Sequence, residues 1–317
     1  MMLNLFERSR SHWVRYDHYE LKTTEDGKRY ITPCKSANPN VYNPLKEVPN
    51  LVLDALNVGM LMMGRKPDAE VEKAIMEFIT RYGLLGLMTA LPTTPSFMDY
   101  EAVYLPKNHF IKEESMATDK YLSLFYPFDR LDLVKKGIES TWNVSNDRTM
   151  VALTMTFMDE PMAKTMSFQR EYAEPYDWVA QQFKDWAFTL STSILYYKDY
   201  DSIDEDTRSL YRKAMAAFGG IAPSYHIELL DKPTIYWDFH SLLLGIQMMF
   251  SFMLVDKDQN LCLCKNCQKV FLGSQSNAAF CSARCKHQYN DYTSREKPAY
   301  AGPKRHLDRW WSYTLTA

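Results

Sequence analysis

From Asp68 to Tyr82, apolar side chains recur at helical spacing. Val71, Ile75, Phe78, Ile79 and Tyr82 share one stripe, while Glu70, Glu72, Lys73 and Arg81 face elsewhere. Pro67 and Gly83 are start and stop signals, so a helix is predicted over 68–82. Asp177 to about Tyr197 predicts a long aromatic helix through Trp178, Phe183, Trp186 and Leu190. Asp204 to Phe218 predicts another, with Asp204, Glu205 and Asp206 near its positive end and Gly219-Gly220 stopping it. Asp238 to Val255 is apolar almost all round, the pattern of a central core helix. Strand patterns are shorter. Tyr19-Glu-Leu-Lys-Thr-Thr and Arg29-Tyr-Ile-Thr flank Glu25-Asp26-Gly27-Lys28, a hairpin signal. Pro33, Pro39, Pro44 and Pro49 then punctuate a loop-like stretch. Residues 97–111 and 149–158 alternate or run β-branched, as strands do.

These elements predict an α+β fold whose N-terminal domain, residues 1–258, is mostly helical. A polar hinge, Asp256-Lys-Asp-Gln-Asn260, leads into a second and smaller domain, residues 259–317. Its text is Cys264-Lys-Asn-Cys267-Gln-Lys-Val-Phe271, a polar segment, then Phe280-Cys281-Ser-Ala-Arg-Cys285-Lys-His-Gln-Tyr. Five of the six cysteines lie between 262 and 285. A disulfide framework would scatter them; a tight cluster points to metal.

The spacing C-x2-C, thirteen residues, C-x3-C suits a tetrahedral zinc ion, whose thiolate sulfurs sit at about 2.3 Å. The expected ligands are Cys264, Cys267, Cys281 and Cys285, holding one structural Zn2+. The thirteen-residue interval has room for a hairpin with Gly273-Ser-Gln-Ser-Asn277 at its tip. Ser282 is placed to cap a helix from about Ala283 to near Thr293, with Cys285 on its first turn. Phe271 and Phe280 are the expected small core beneath the metal. Knuckle, hairpin and ligand-bearing helix make a treble-clef-like finger. Four sulfurs close the shell and leave no place for a catalytic water. Nothing in the spacing resembles a ferredoxin. Cys262 is read as a packing residue and His287 as an exposed position on the finger helix.

The net charge of −2 hides an asymmetry. Residues 264–317 carry five Lys and four Arg against two Asp and one Glu, a local charge of +6 that leaves −8 for the rest. Arg284, Lys286, His287, Arg295, Lys297, Lys304, Arg305 and Arg309 are the candidate contacts to nucleic acid. Tyr289, Tyr292, Tyr300, Trp310 and Trp311 interleave with them. Basic side chains neutralise phosphates and aromatic rings stack on exposed bases. The rival reading is a protein-interaction module, in which zinc only fixes a docking surface and the tail packs back.

No phosphate-binding glycine loop, dinucleotide fingerprint, H-E-x-x-H or G-x-S-x-G occurs, so no enzyme is expected. No basic region followed by an apolar core opens the chain. The most apolar run, Leu242 to Val255, falls short of the roughly 18 residues of a span. The expectation is a cytoplasmic protein with no membrane partner.

The apolar helix Leu242–Val255, the C-x2-C with its following Phe271, and Phe280-Cys281-Ser-x-x-Cys285 with a basic helix together resemble a set of uncharacterised bacterial proteins. These carry a C-terminal zinc finger related to the CGNR type. Ile75-Met-Glu-Phe-Ile-Thr-Arg-Tyr-Gly-Leu-Leu-Gly86 is similar to a segment recurring in their N-terminal halves. The resemblance implies a DNA-binding finger attached to a sensor-like or binding domain, and hence transcription regulation. After Cys285 the chain reads Lys286-His287-Gln288, where CGNR proteins carry Gly-Asn-Arg, so that signature's Asn and Arg are missing here.

Overall fold

Local alternation over residues 13–42 becomes four short strands: β1 (Trp13–Tyr16), β2 (Tyr19–Thr23), β3 (Arg29–Pro33) and β4 (Pro39–Tyr42). The structure is a computed structural model describing residues 13–94, 97–128, 172–198, 200–217, 224–239, 241–256, 260–274 and 278–295. β2 and β3 form the predicted hairpin, with Leu21 opposite Ile31. Backbone bonds between Thr24 and Lys28 close its turn, and Gly27 takes φ +83°, where a side chain is disfavoured. β1 pairs antiparallel with β4. The prolines of the loop-like stretch sit at element boundaries. Pro33 ends β3, Pro39 opens β4, and Pro44 starts a 3-10 turn (Pro44–Glu47) capped by the Asn43 side chain.

Two helices follow, α1 (Asn50–Met63) and α2 (Asp68–Tyr82). α2 has the predicted span. α1 has no stripe to betray it: Leu51, Val52, Ala55, Leu56, Val58 and Met60 are buried on a helix that is apolar over most of its circumference. The one-turn helix α3 (Leu87–Ala90) comes next. The expected strand over 97–111 is instead a 3-10 turn (Phe97–Asp99) and a three-residue β5 (Ala102–Tyr104), paired with β6 (Ser115–Ala117) ahead of α4 (Thr118–Ser123). The strand expected over 149–158 lies outside the described residues.

β7 (Glu174–Pro175) pairs with β3 and runs into α5 (Tyr176–Lys198). α5 packs along α1. Gly59 makes that approach possible, because a Cβ there would lie 2.1 Å from the Phe183 carbonyl oxygen and 2.6 Å from Ala187 Cβ. Both neighbours are on a rigid helix, so relief requires the helices to part. Gly59→Ala is expected to lower unfolding free energy by about 1–3 kcal/mol, measured as a fall in denaturation midpoint with the slope preserved.

α6 (Glu205–Ala217) is capped by Asp204, whose carboxylate accepts from the Thr207 amide at 2.7 Å. β8 (Ser224–Leu229) and β9 (Pro233–Asp238) form a hairpin. α7 (Leu242–Val255) therefore starts later than the expected Asp238. Residues to 238 are in β9, and the Ser241 side chain accepts from the Leu244 amide at 3.1 Å, fixing the helix start. α7 buries Leu242, Leu243, Leu244, Ile246, Met249, Phe250 and Met253. Among the described residues no helix is long and apolar enough to cross a membrane.

The loop after α2 is held by one side chain. Gly83 and Gly86 take φ +91° and +76°. From Leu85 to Leu87 the chain presents successive amides to Glu174, which is fully buried. Its Oε2 accepts from Leu85 N at 2.9 Å; its Oε1 accepts from Gly86 N at 2.6 Å and Leu87 N at 2.8 Å. The Tyr172 hydroxyl donates to Oε1 at 2.6 Å. Burial pushes the Glu174 carboxyl above its usual range, and the four donors oppose it. Trp13 Nε1 and the Leu243 amide take the loop's carbonyls, at Leu84 (2.9 Å) and Leu85 (2.8 Å). The Tyr-Gly-Leu-Leu-Gly segment is thus a junction for β1, β7 and α7.

Backbone proximity divides the chain into two units, Met1–Gln259 and Asn260–Ala317. The smaller one comprises β10 (Asn260–Leu263), β11 (Val270–Gly273) and α8 (Ala283–Arg295).

Candidate metal centre

Two local devices bring the cysteines together. β10 and β11 pair antiparallel, with Leu263 opposite Val270, so Cys264 to Lys269 form the turn of a hairpin. The Cys264 amide donates to the Lys269 carbonyl, and the Gln268 amide to the Cys264 carbonyl, both at 2.9 Å. Gln268 sits at φ +59°, in the left-handed region that a tight knuckle demands. The knuckle itself is therefore the hairpin tip. The expected tip at 273–277 is displaced: β11 ends at Gly273, and Ser274 and Ala278 to Phe280 lie outside any strand. The second device is the start of α8. Ser282 Oγ accepts from the Cys285 amide at 3.2 Å, the cap its sequence position suggested. Cys281 precedes the helix and Cys285 occupies its first turn.

The four sulfurs of Cys264, Cys267, Cys281 and Cys285 lie within 4.8 Å of one another. Cys267 Sγ is 3.6 Å from Cys281 Sγ, and Cys281 Sγ is 3.5 Å from Cys285 Sγ. Thiolates at about 2.3 Å from a central ion in a tetrahedron stand about 3.8 Å apart. Disulfide sulfurs would stand about 2.05 Å apart. The spacing fits a shared cation and excludes a covalent pair. Cys262 is buried in β10 opposite Phe271 and does not belong to the converging set.

The surroundings of the sulfurs are polar on one side. Burial works against the Cys264 thiolate, but amides of Cys267, Cys281 and Asn266 donate to it and hold its pKa below the ordinary thiol value. The Asn266 side chain, then Ser282 and Cys281, lower Cys285 to about 6. Cys267 is pushed up to about 12, first by burial. Cys281 is raised, again first by burial. A cation at the centre would favour the ionised form of all four.

Asn266 is the residue that sequence reading missed. Its Nδ2 donates to Gln288 Oε1 at 3.1 Å, tying knuckle to helix while it also serves Cys285. Tyr289 was missed as packing: its ring lies 5.3 Å from that of Phe280, one helical turn beyond Cys285. The i, i+4 relation to a ligand was the available signal. Phe271 and Phe280 are only half-buried, and among the described residues of this unit the buried side chains are Cys262, Cys264 and Val270. Three small buried residues among those described are a slight core, the regime in which a bound metal adds most to stability.

Arg284, Lys286 and His287 are exposed on the first turns of α8. Lys265 and Lys269, in the knuckle between and after the first two ligands, are exposed beside the same centre. They were not among the candidate contacts, although non-ligand knuckle positions commonly face solvent. Arg295 closes α8. Lys297, Lys304, Arg305 and Arg309 lie outside the described residues, as do Tyr300, Trp310 and Trp311. Fold and site together define an α+β protein carrying a four-cysteine centre able to bind a metal ion. No family model, curated protein or solved structure matches the chain.

Proposed function

We propose that the centre holds one structural zinc ion in a treble-clef-like finger akin to the CGNR type, and that the finger's basic face binds nucleic acid as part of a transcription regulator. The observation that carries this reading is the grouping of exposed Lys265, Lys269, Arg284 and Lys286 around the four sulfurs. Four sulfur ligands select zinc over the harder oxygen-seeking cations. The closed shell gives the ion a scaffolding role. Tyr292 is 70% exposed on α8, an aromatic surface on which a base can stack.

Titration of zinc-loaded protein against duplex and single-stranded DNA over a range of salt tests the reading. Four phosphate contacts give a slope of log affinity on log salt of about −3 to −4 for duplex. The double change Lys265→Ala, Lys286→Ala is expected to reduce that slope by about 2 while leaving bound zinc intact. Binding that is absent, or indifferent to salt, contradicts the nucleic-acid reading. In that case the finger serves as a protein-docking element.

A further inference from the structure

The hairpin of β8 and β9 is inside out. Cross-strand register places Tyr225 opposite Trp237, Ile227 opposite Ile235 and Leu229 opposite Pro233. Side chains alternate across a strand, so these three pairs share one face. That face is uncharged and open: Tyr225 is 61% exposed, Ile227 60%, Leu229 83% and Ile235 51%. The Tyr225 and Trp237 rings are 6.0 Å apart and nearly perpendicular, forming one aromatic end of the ladder. The opposite face carries the polar positions Glu228 and Thr234, and Thr234 is buried, with its hydroxyl donating to the Lys232 carbonyl. A hairpin serving only its own chain would turn the apolar face inward.

An isolated two-stranded hairpin is marginally stable, and the sheet of β8 and β9 has only these two strands among the described residues. We propose that this apolar face is an interface between two copies of the chain, packed face to face about a two-fold axis. The partner follows from the face itself. An uncharged ladder offers nothing to select an acidic or basic partner, whereas it is its own complement under two-fold symmetry. Side chains of this size and exposure offer roughly 100 Å² each. Five or six of them give on the order of 500 Å² per copy and about 1,000 Å² across the pair, the lower limit of a specific interface. The Tyr225–Trp237 end of the ladder matches the enrichment of aromatic residues in interfaces.

Sedimentation of the full-length, metal-loaded protein over a range of concentrations is the test. The expected result is a monomer–dimer equilibrium insensitive to salt, because no charge lies in the interface. Ile227→Lys places two buried charges in each dimer, one per copy, and is expected to raise the dissociation constant at least about a hundredfold. Metal content and melting temperature of the variant show whether it has folded; Leu229→Ser serves as a second and milder variant. Hydrogen exchange of the unaltered protein reads the same surface without substitution, with residues 224–238 gaining protection as concentration rises. A protein monomeric at all concentrations overturns the proposal. So does a dimer that survives both substitutions, or a hairpin protected equally at every dilution, which would mean that this chain's own residues cover it.

Discussion

Cys264→Ser in the full-length protein is expected to abolish stoichiometric zinc binding and to unfold the segment from Asn260 to Arg295. Cys264 is the most buried of the four sulfur residues, at 0% exposure, and it joins β10 to the knuckle. The three remaining sulfurs leave a coordination position that a serine hydroxyl fills poorly. Structural zinc in small fingers contributes about 10–16 kcal/mol at neutral pH. Cys262, Cys264 and Val270, the buried residues among those described in this unit, cannot replace a term of that size. Chelation of the metal should have the same effect as the substitution. The readout is hydrogen exchange over β10, β11 and α8, where protection is expected to vanish. Retained protection in the metal-free protein would show that the fold of this unit does not depend on the ion.

Glu174→Ala is expected to be the most damaging single change in the larger unit. It strips the Leu85, Gly86 and Leu87 amides and the Tyr172 hydroxyl of their common acceptor in a site closed to solvent. Each orphaned buried donor costs about 1–3 kcal/mol, less whatever water recovers. A total loss of about 3–5 kcal/mol is the expected scale, which threatens the whole stability of an ordinary domain. Glu174→Gln should recover part of the loss, since its carbonyl oxygen still accepts while its amide nitrogen faces donors. Chemical denaturation of the three proteins checks the order. Equal stability of Glu174→Ala and the parent would mean that the loop is held by Trp13 and the α7 backbone alone.

What could be read from the chain follows the physics of each element. α2 has a narrow apolar stripe between Pro67 and Gly83, and its bounds were legible to the residue. α5 was legible within one residue at either end because aromatics mark its buried face. α1 was invisible, because a helix enclosed on most sides loses its periodicity. The β8–β9 hairpin was missed. Its second strand, Pro233-Thr-Ile-Tyr-Trp-Asp238, was assigned no element, and the helix expected from Asp238 overlaps only its last residue. Glu174 carries little local mark: the three amides it accepts from lie 87 to 89 positions away, and only the Tyr172 hydroxyl is near in sequence.

The convergence of the four cysteines was the most legible feature. Ligand spacing is fixed by local geometry, a knuckle and a helix start, and both leave signatures within a few residues. The hairpin was harder. Its first strand, Asn260 to Leu263, precedes the first ligand, and no turn chemistry other than the cysteines marks the tip. Asn266, the residue binding the two halves, was one polar letter between two cysteines.

X-ray absorption at the zinc edge, on full-length protein purified without added metal and quantified by elemental analysis, decides whether the four cysteines hold zinc. The expected spectrum is that of one zinc per chain with four sulfur neighbours at about 2.3 Å and no nitrogen or oxygen in the shell. Protein that binds no zinc, or a shell of mixed sulfur and nitrogen, would contradict it.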